Sequence, residues 1–568
     1  GPIGIDAPIP TMNAFMKFSN TTTKIVKIII FVVCNDISGL FMRQKLLFLS
    51  FVVLASIPFL VPHTGWLSLF AFVPLLFYTQ DRDDKGVKHT GWMTYLAFVL
   101  FNVATTFWIW WISPVGAVAA IALNALQMNF VFWIYRRSRK RFSEALSLIL
   151  LVSLWIAWEH IYQNIEITWP WLILGNSFAT TPYLVQWYEY TGFLGGSLWV
   201  LATNIFLFVL IKSIRKEPFV TEKYARRRRV ATVVTCALLL TVPPLVSSII
   251  FARFKESSNP REVVAVQPNI DSYTEKHGGL SQKMQDSVMF SLVSEVITTE
   301  TDYVITPETF TFNLNLDYPE DNITFVGVKD FLKDYPKVNF ILGSLTYRYY
   351  SSRAQASDAA SKLGKGWYDR YNSALLIDST GRFSYYHKSR LVPGVEIIPY
   401  QKYIPFLSSI TSAFGGSTGS YARSSDVENL ISADGTPVGV MICYESVFGE
   451  YYRRTAAKGA GFTAVITNDG WWGDTPGYRQ HFRFAKLRAI ETRRDVVQVA
   501  NTGITGFINQ RGDVLQRTGW WEPTAIKGTV NLNSEKTFYV EHGDIVGRIC
   551  CFLAVFMLLA LVTVRFRK

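Results

Sequence analysis

The chain has 568 residues, beyond the roughly 250–300 at which a single core stops growing, so two or more units are expected. Apolar residues make up 49%, aromatics 15% and charged residues only 17%, which excludes intrinsic disorder and fits poorly with an ordinary water-soluble enzyme. The formal charge of +13, from 56 Lys and Arg against 43 Asp and Glu, would suit nucleic acid if the basic residues lined a groove. They gather instead at the ends of apolar blocks, so no nucleic-acid partner is expected.

Residues 1–45 read as an N-terminal extension that opens Gly1-Pro2, a cloning remnant in part. Its stretch Lys24–Cys34 is too short to span a bilayer and suits an interfacial helix or a loosely packed extension. Eight apolar segments follow, at about 46–62, 66–79, 93–113, 116–135, 144–163, 195–215, 230–253 and 546–565, of which the second is short. Basic clusters sit at alternate ends: Arg136, Arg137, Arg139, Lys140 and Arg141; Lys212, Arg215, Lys216 and Arg226–Arg229; Arg565, Arg567 and Lys568. Between Arg141 and Lys212 there is no Lys or Arg. That alternation predicts an inside N-terminus and an inside C-terminal tail, with residues 254–545 held on the outer side. The expected domains are therefore the extension, a membrane domain of about seven spans over 46–253, an outer domain over 254–545, and a last span with a basic tail over 546–568.

Glu159 and His160, in or near the fifth span, must be paired or face water. The outer loop 164–194 carries Trp169, Trp171, Trp187, Tyr188 and Tyr190, which are expected in the interfacial belt.

From Glu262 onward, short apolar runs (VVAVQ, YVITPE, NFILGSLTY, VGVMICYE, FTAVITND, VVQVANT) alternate with helical stretches, which predicts a layered α/β domain. Of five cysteines only Cys443 lies there, so the domain has no internal disulfide, and a lone outer thiol is best explained by use. Cys443 ends an apolar strand. Glu308 ends another in Thr306-Pro307-Glu308, and Lys388 follows a third, ahead of a Pro-Gly turn. A strand-end carboxylate, cation and thiol supply a base, an electrostatic stabiliser and a nucleophile.

These segments resemble the nitrilase superfamily: TPE around Glu308, HKxRLVPxxExxP around Lys388, ICYES around Cys443, Asn468-Asp469-Gly470-Trp471-Trp472-Gly473, and His481–Glu491 followed by Asn501-Thr502-Gly503. With the spans, and the outer segment W-P-W-L-x-x-G-N, the whole chain resembles the apolipoprotein N-acyltransferases. The resemblance implies a membrane α-helical bundle of about eight spans plus an α/β, nitrilase-like αββα sandwich, with Glu308, Lys388 and Cys443 as triad. It departs from the family pattern at Thr306, where a Trp is usual, and at Pro393-Gly394-Val395-Glu396, which keeps the glutamate eight positions after Lys388.

The implied chemistry is ping-pong acyl transfer from a phospholipid, through a Cys443 thioester, to the N-terminal amine of a diacylglyceryl-cysteine apolipoprotein in a bacterial inner membrane, on its periplasmic side. Glu396 would orient Lys388, Glu445 would support Lys388 or the incoming amine, and Asn372 would hold the lysine segment. Tyr444 would follow the nucleophile as a further supporting residue, its backbone N–H serving the oxyanion. Trp471, Trp472, Phe310 and Phe406 are assigned to a lid or lipid contact. No cofactor is expected, and no metal, because the seven His residues lack ligand spacing. A monomer should suffice. The alternative left open by the active-site residues is a membrane-anchored amidohydrolase with water as acceptor.

Overall fold

The structure, a computed structural model, describes residues 40–216, 222–276, 278–404 and 420–566. The stretch Lys24–Cys34 and Phe406 lie outside the described residues. Apolar runs without charge fold as long helices: α1 (Leu40–Leu60), α2 (Ser68–Asp84), α3 (Thr90–Thr106), α4 (Pro114–Ser138), α5 (Glu144–Tyr162), α6 (Phe193–Lys216), α7 (Lys223–Arg253) and a final helix Ile545–Phe566. Among the described residues seven of these are long and apolar enough to cross a membrane. The short second candidate folds as the 17-residue α2, which ends in Asp81, Arg82, Asp83 and Asp84. Local chemistry sets the helix starts. Ser113 accepts from Gly116 N at 3.1 Å ahead of Pro114, and Ser143 accepts from Leu146 N at 3.4 Å. The basic ends are partly neutralised, Arg43 by Asp81 at 2.9 Å and Arg139 by Asp84 at 2.9 Å, which ties the ends of α1, α2 and α4 together.

Residues 260–531 build a two-sheet sandwich. One sheet runs β14-β1-β2-β4-β6-β5, with β3 on β4 and β7 on β6; the other runs β13-β12-β11-β10-β9-β8. The strands are β1 (Pro260–Gln267), β2 (Tyr303–Ile305), β3 (Thr311–Asn315), β4 (Asn339–Tyr350), β5 (Ser361–Leu363), β6 (Gly366–Ile377), β7 (Phe383–His387), β8 (Leu430–Ile431), β9 (Pro437–Ile442), β10 (Thr463–Thr467), β11 (Val496–Ala500), β12 (Gly506–Ile508), β13 (Val514–Arg517) and β14 (Thr524–Asn531). β1, β2 and β4 pair in parallel, as do β9, β10 and β11. Parallel strands bury both faces and so read as continuous apolar runs, as these do. Val263, Ala265 and Ile341 of the first sheet meet Val440, Ile442 and Ile466 of the second in the central core. Helices α8 (Gln282–Ser294) and α9 (Ile323–Asp334) cover the first sheet; α10 (Gly449–Ala457) and α11 (Pro476–Thr492) cover the second, giving αββα.

The outer core of the second sheet is continuous with the membrane bundle. The loop after α5 makes the join, and here the expectation of an interfacial belt is corrected. Residues 170–184 form short 3-10 turns, and Trp171 and Tyr188 are buried, while Tyr183 and Tyr190 keep an exposed face. Glu159 explains the turn inward: its Oε1 accepts from Trp155 Nε1 at 3.1 Å and from Leu174 N at 2.9 Å, so the loop folds back onto its own helix. His160 pairs through Nδ1 with Asp544 Oδ2 at 2.9 Å, at the foot of the last helix.

Candidate active site

Three strand ends of the sandwich deliver the predicted groups to one place. After β2, Thr306 Oγ1 donates to Ile341 O at 3.2 Å and accepts from Gly343 N at 3.2 Å, so the residue standing for the usual Trp stitches β2 to β4. Gly343 permits that approach, because a Cβ there would lie 2.1 Å from the Pro307 carbonyl oxygen. The turn continues through Thr309 at φ +50°, leaving Glu308 buried. Lys388 follows β7, its N–H donating to Asn372 O of β6 at 2.8 Å, and its side chain is also buried. Cys443 follows β9 with φ +51°, a left-handed conformation that costs a non-glycine residue energy. It opens the 3-10 turn Cys443–Val447.

Lys388 Nζ donates to Glu308 Oε1 at 2.9 Å and to Glu396 Oε1 at 3.0 Å. Asn372 Nδ2 donates to the same two oxygens, at 2.7 and 2.9 Å. Glu396 is fixed from behind, since Val392 N donates to its Oε2 at 2.8 Å. Charges buried this deeply are tolerated only when paired and bonded. Burial opposes the Lys388 ammonium, but Glu308 and Glu396 outweigh it and hold the group well above its ordinary range. Burial likewise opposes the Glu308 carboxylate, and Lys388, Asn372 and Lys276 outweigh it, so the carboxyl titrates below normal. The Cys443 thiol moves the other way: burial and the Glu308 charge push it well up, against the pull of Lys388. The resting site is therefore a carboxylate, an ammonium and a thiol, with the proton to be moved still on sulfur.

Glu445 lies on the Lys388 side of the two roles expected of it. Its Oε1 accepts from Tyr386 OH at 2.6 Å, Ser389 N at 2.7 Å and Arg390 N at 3.1 Å, and its Oε2 from Ile442 N at 2.9 Å. It is fully buried and clamps the backbone after Lys388 to the strand before Cys443, rather than reaching an incoming amine. Tyr444 faces the membrane part: its hydroxyl donates to Thr168 O at 2.8 Å and its ring stacks on Trp169 with centroids 6.0 Å apart.

Phe310 is a correction. It is buried in the layer between the first sheet and helices α8 and α9, in one apolar cluster with Phe325 and Met289, so it is core and not lid. Trp472 is corrected too: it is buried between the domains, with ring centroids 4.8 Å from Trp108 and 5.7 Å from Trp171. Trp471 is half-buried at the edge, its ring 5.0 Å from Tyr273, whose hydroxyl shares its one hydrogen between Trp471 O at 2.9 Å and Trp111 O at 3.1 Å.

Lys276 escaped the sequence reading. Its Nζ donates to Glu308 O and to Thr309 Oγ1, both at 3.1 Å, so it pins the left-handed turn beside Glu308. Burial lowers its own ammonium to about 8 despite the Glu308 charge. In sequence it was one polar-loop lysine among many, and only a contact 32 residues away marks it. Lys276→Met is expected to raise the Glu308 carboxyl, so the acid limb of activity should move to higher pH by up to about one unit. Rates of acyl-enzyme formation measured from pH 4 to 8 check this; an unmoved limb would show that the lysine is only structural.

The comparisons with known proteins agree with both halves. A family model described as carbon-nitrogen hydrolase matches residues 263–538, and one described as apolipoprotein N-acyltransferase N-terminal domain matches residues 51–206. Apolipoprotein N-acyltransferase of Chlorobaculum tepidum is 30% identical over 504 residues, 87% of this chain and 91% of that one. The Geobacter metallireducens protein of that name is 26% identical over 543 residues, covering 91% of this chain and 94% of its own. Apolipoprotein N-acyltransferase 1 of Treponema denticola is 23% identical over 568 residues, covering 93% and 99%. With a relative of this identity along nearly its whole length, and a family model matching each half, the chain is an acyltransferase and belongs to the apolipoprotein N-acyltransferase family.

Proposed function

We propose that the protein moves a fatty acyl chain from a membrane phospholipid to the N-terminal amine of a diacylglyceryl-cysteine apolipoprotein, through a thioester on Cys443. It does so as a monomer in a bacterial inner membrane, with residues 254–545 as the catalytic domain on the periplasmic side, and residues 46–253 and 546–568 as its membrane part. The observation that carries this reading is the buried Glu308–Lys388 pair, bonded at 2.9 Å, with both charges acting on the single thiol of the outer domain.

Glu308 takes the Cys443 proton as sulfur attacks the ester carbonyl. The oxyanion is met by Lys388, whose ammonium has three donors of which two go to Glu308 and Glu396, and by the backbone N–H of Tyr444. Collapse forms the thioester and breaks the C–O bond, and Glu308 returns the proton to the departing lysophospholipid. In the second half the amine attacks the thioester, gives its proton to Glu308, and the amide forms as sulfur leaves and is reprotonated. Asn372 and Glu396 are positioning residues, and Glu445 holds the two segments in register.

Intact-mass analysis of the full chain with defined phospholipid tests this. A hydroxylamine-labile adduct of one acyl chain on Cys443 is expected, absent from Cys443→Ala, and discharged by a diacylglyceryl-cysteine peptide. No adduct with lipid present would overturn the reading, and an adduct lost to water without the peptide would favour the amidohydrolase instead.

A further inference from the structure

Behind the nucleophile lies a buried network that the triad does not include. His481 of α11 places Nδ1 at 3.1 and 3.3 Å from the two carboxylate oxygens of Asp469. Its Nε2 lies 2.8 Å from Ser446 Oγ and 3.2 Å from the carbonyl oxygen of Cys443. Ser446 Oγ itself donates to that carbonyl at 2.9 Å, and so turns a lone pair toward the ring. Thr467 Oγ1 donates to Asp469 Oδ1 at 2.6 Å and also bonds the Cys443 thiol, closing the circuit on the nucleophile.

Nδ1 thus faces a carboxylate, while Nε2 faces a hydroxyl and a carbonyl of the segment that carries the thiol. We propose that His481 is a positioning residue for Cys443: an imidazole held by Asp469 that grips Ser446 and the Cys443 carbonyl and fixes the left-handed elbow on which the thiol sits. This rests on Cys443 being the nucleophile. The elbow needs such support, because φ +51° persists only where the surroundings over-determine it. The clamp is closed to water: His481 and Asp469 are 0% exposed, and indole rings of Trp171 and Trp472 lie 5.9 and 5.5 Å from the imidazole. The charges facing the thiol are Glu308 and Lys388, together with Asp469 itself.

The test is alkylation of Cys443 by iodoacetamide across pH 6–11, followed by peptide mass in the full chain, for wild type, His481→Gln, Asp469→Asn and Ser446→Ala. His481→Gln keeps an N–H donor but loses the bridge from Asp469 to the Cys443 carbonyl. It should move the alkylation midpoint downward by about one unit, about tenfold faster at pH 7, as should Asp469→Asn, because a loosened elbow relieves the burial and charge that push the thiol up, while Ser446→Ala stays near wild type. A merely structural role would lower the labelled fraction without moving the midpoint. Asp469→Asn preserves shape and decides the matter if His481→Gln does not fold. An unmoved midpoint, in protein whose wild type is still acylated by phospholipid, overturns this inference and leaves the thioester reading intact.

Discussion

Glu308→Gln is expected to cut acyl-enzyme formation about a thousandfold, in the range that removal of a positioned acid–base group commonly costs. The same change should make Cys443 easier to alkylate. The Glu308 charge is one of the two leading forces that push the thiol up, after burial, and removing it leaves Lys388 acting on sulfur with less opposition. The isosteric amide also keeps an oxygen for the Lys388 and Asn372 donors that now converge on Oε1. Iodoacetamide should therefore react faster at pH 7 while phospholipid no longer acylates, since no group remains to carry the proton to the leaving alcohol. A misfolded variant would lose both reactions. Transfer retained within tenfold would show that Glu308 is not the proton carrier, and slowed alkylation in folded protein would show that its charge does not govern the thiol.

The parts legible in the sequence share a physical cause. Membrane segments announce themselves by uninterrupted apolar length, and the parallel strands β1, β2, β9, β10 and β11 by short apolar runs ending in turn residues. Glu308 and Cys443 stood out at the tips of the parallel strands β2 and β9, and Lys388 after the antiparallel β7, and the structure brings the three together. What escaped depends on partners distant in the chain. Lys276 differs from a solvated lysine only through Glu308 and Thr309. Glu445 stood out by its place beside Cys443, yet its partners Tyr386, Ser389 and Arg390 are set by how β7 and β9 lie against each other. Trp171 and Trp472 have the composition of an interfacial belt or lid. Only the inward turn of the loop, fixed by Glu159 and Leu174, shows that they are packed between the domains.

That packing has a polar centre, and it yields the second large effect. Gln480, one residue before His481, is almost fully buried on α11. Its Oε1 accepts from Trp108 Nε1 at 3.2 Å and from Trp171 Nε1 at 2.7 Å, while its Nε2 donates to Thr105 O at 3.1 Å. One side chain of the sandwich domain thus satisfies the end of α3, the 3-10 turn after it and the loop after α5. Gln480→Leu conserves volume, so it opens little cavity, but it strands two indole N–H groups and a carbonyl at about 1–3 kcal/mol each. The thermal midpoint of the full chain should fall by on the order of 10 °C. Trp171→Phe, which removes one donor and keeps a ring, should cost clearly less. Limited proteolysis should also cut the sandwich domain of Gln480→Leu sooner than wild type, and thioester formation should slow, because α11 carries His481 to the back of Cys443. An unchanged midpoint and cleavage pattern would mean that the apolar contacts of Trp108, Trp171 and Trp472 seat the domain without these hydrogen bonds.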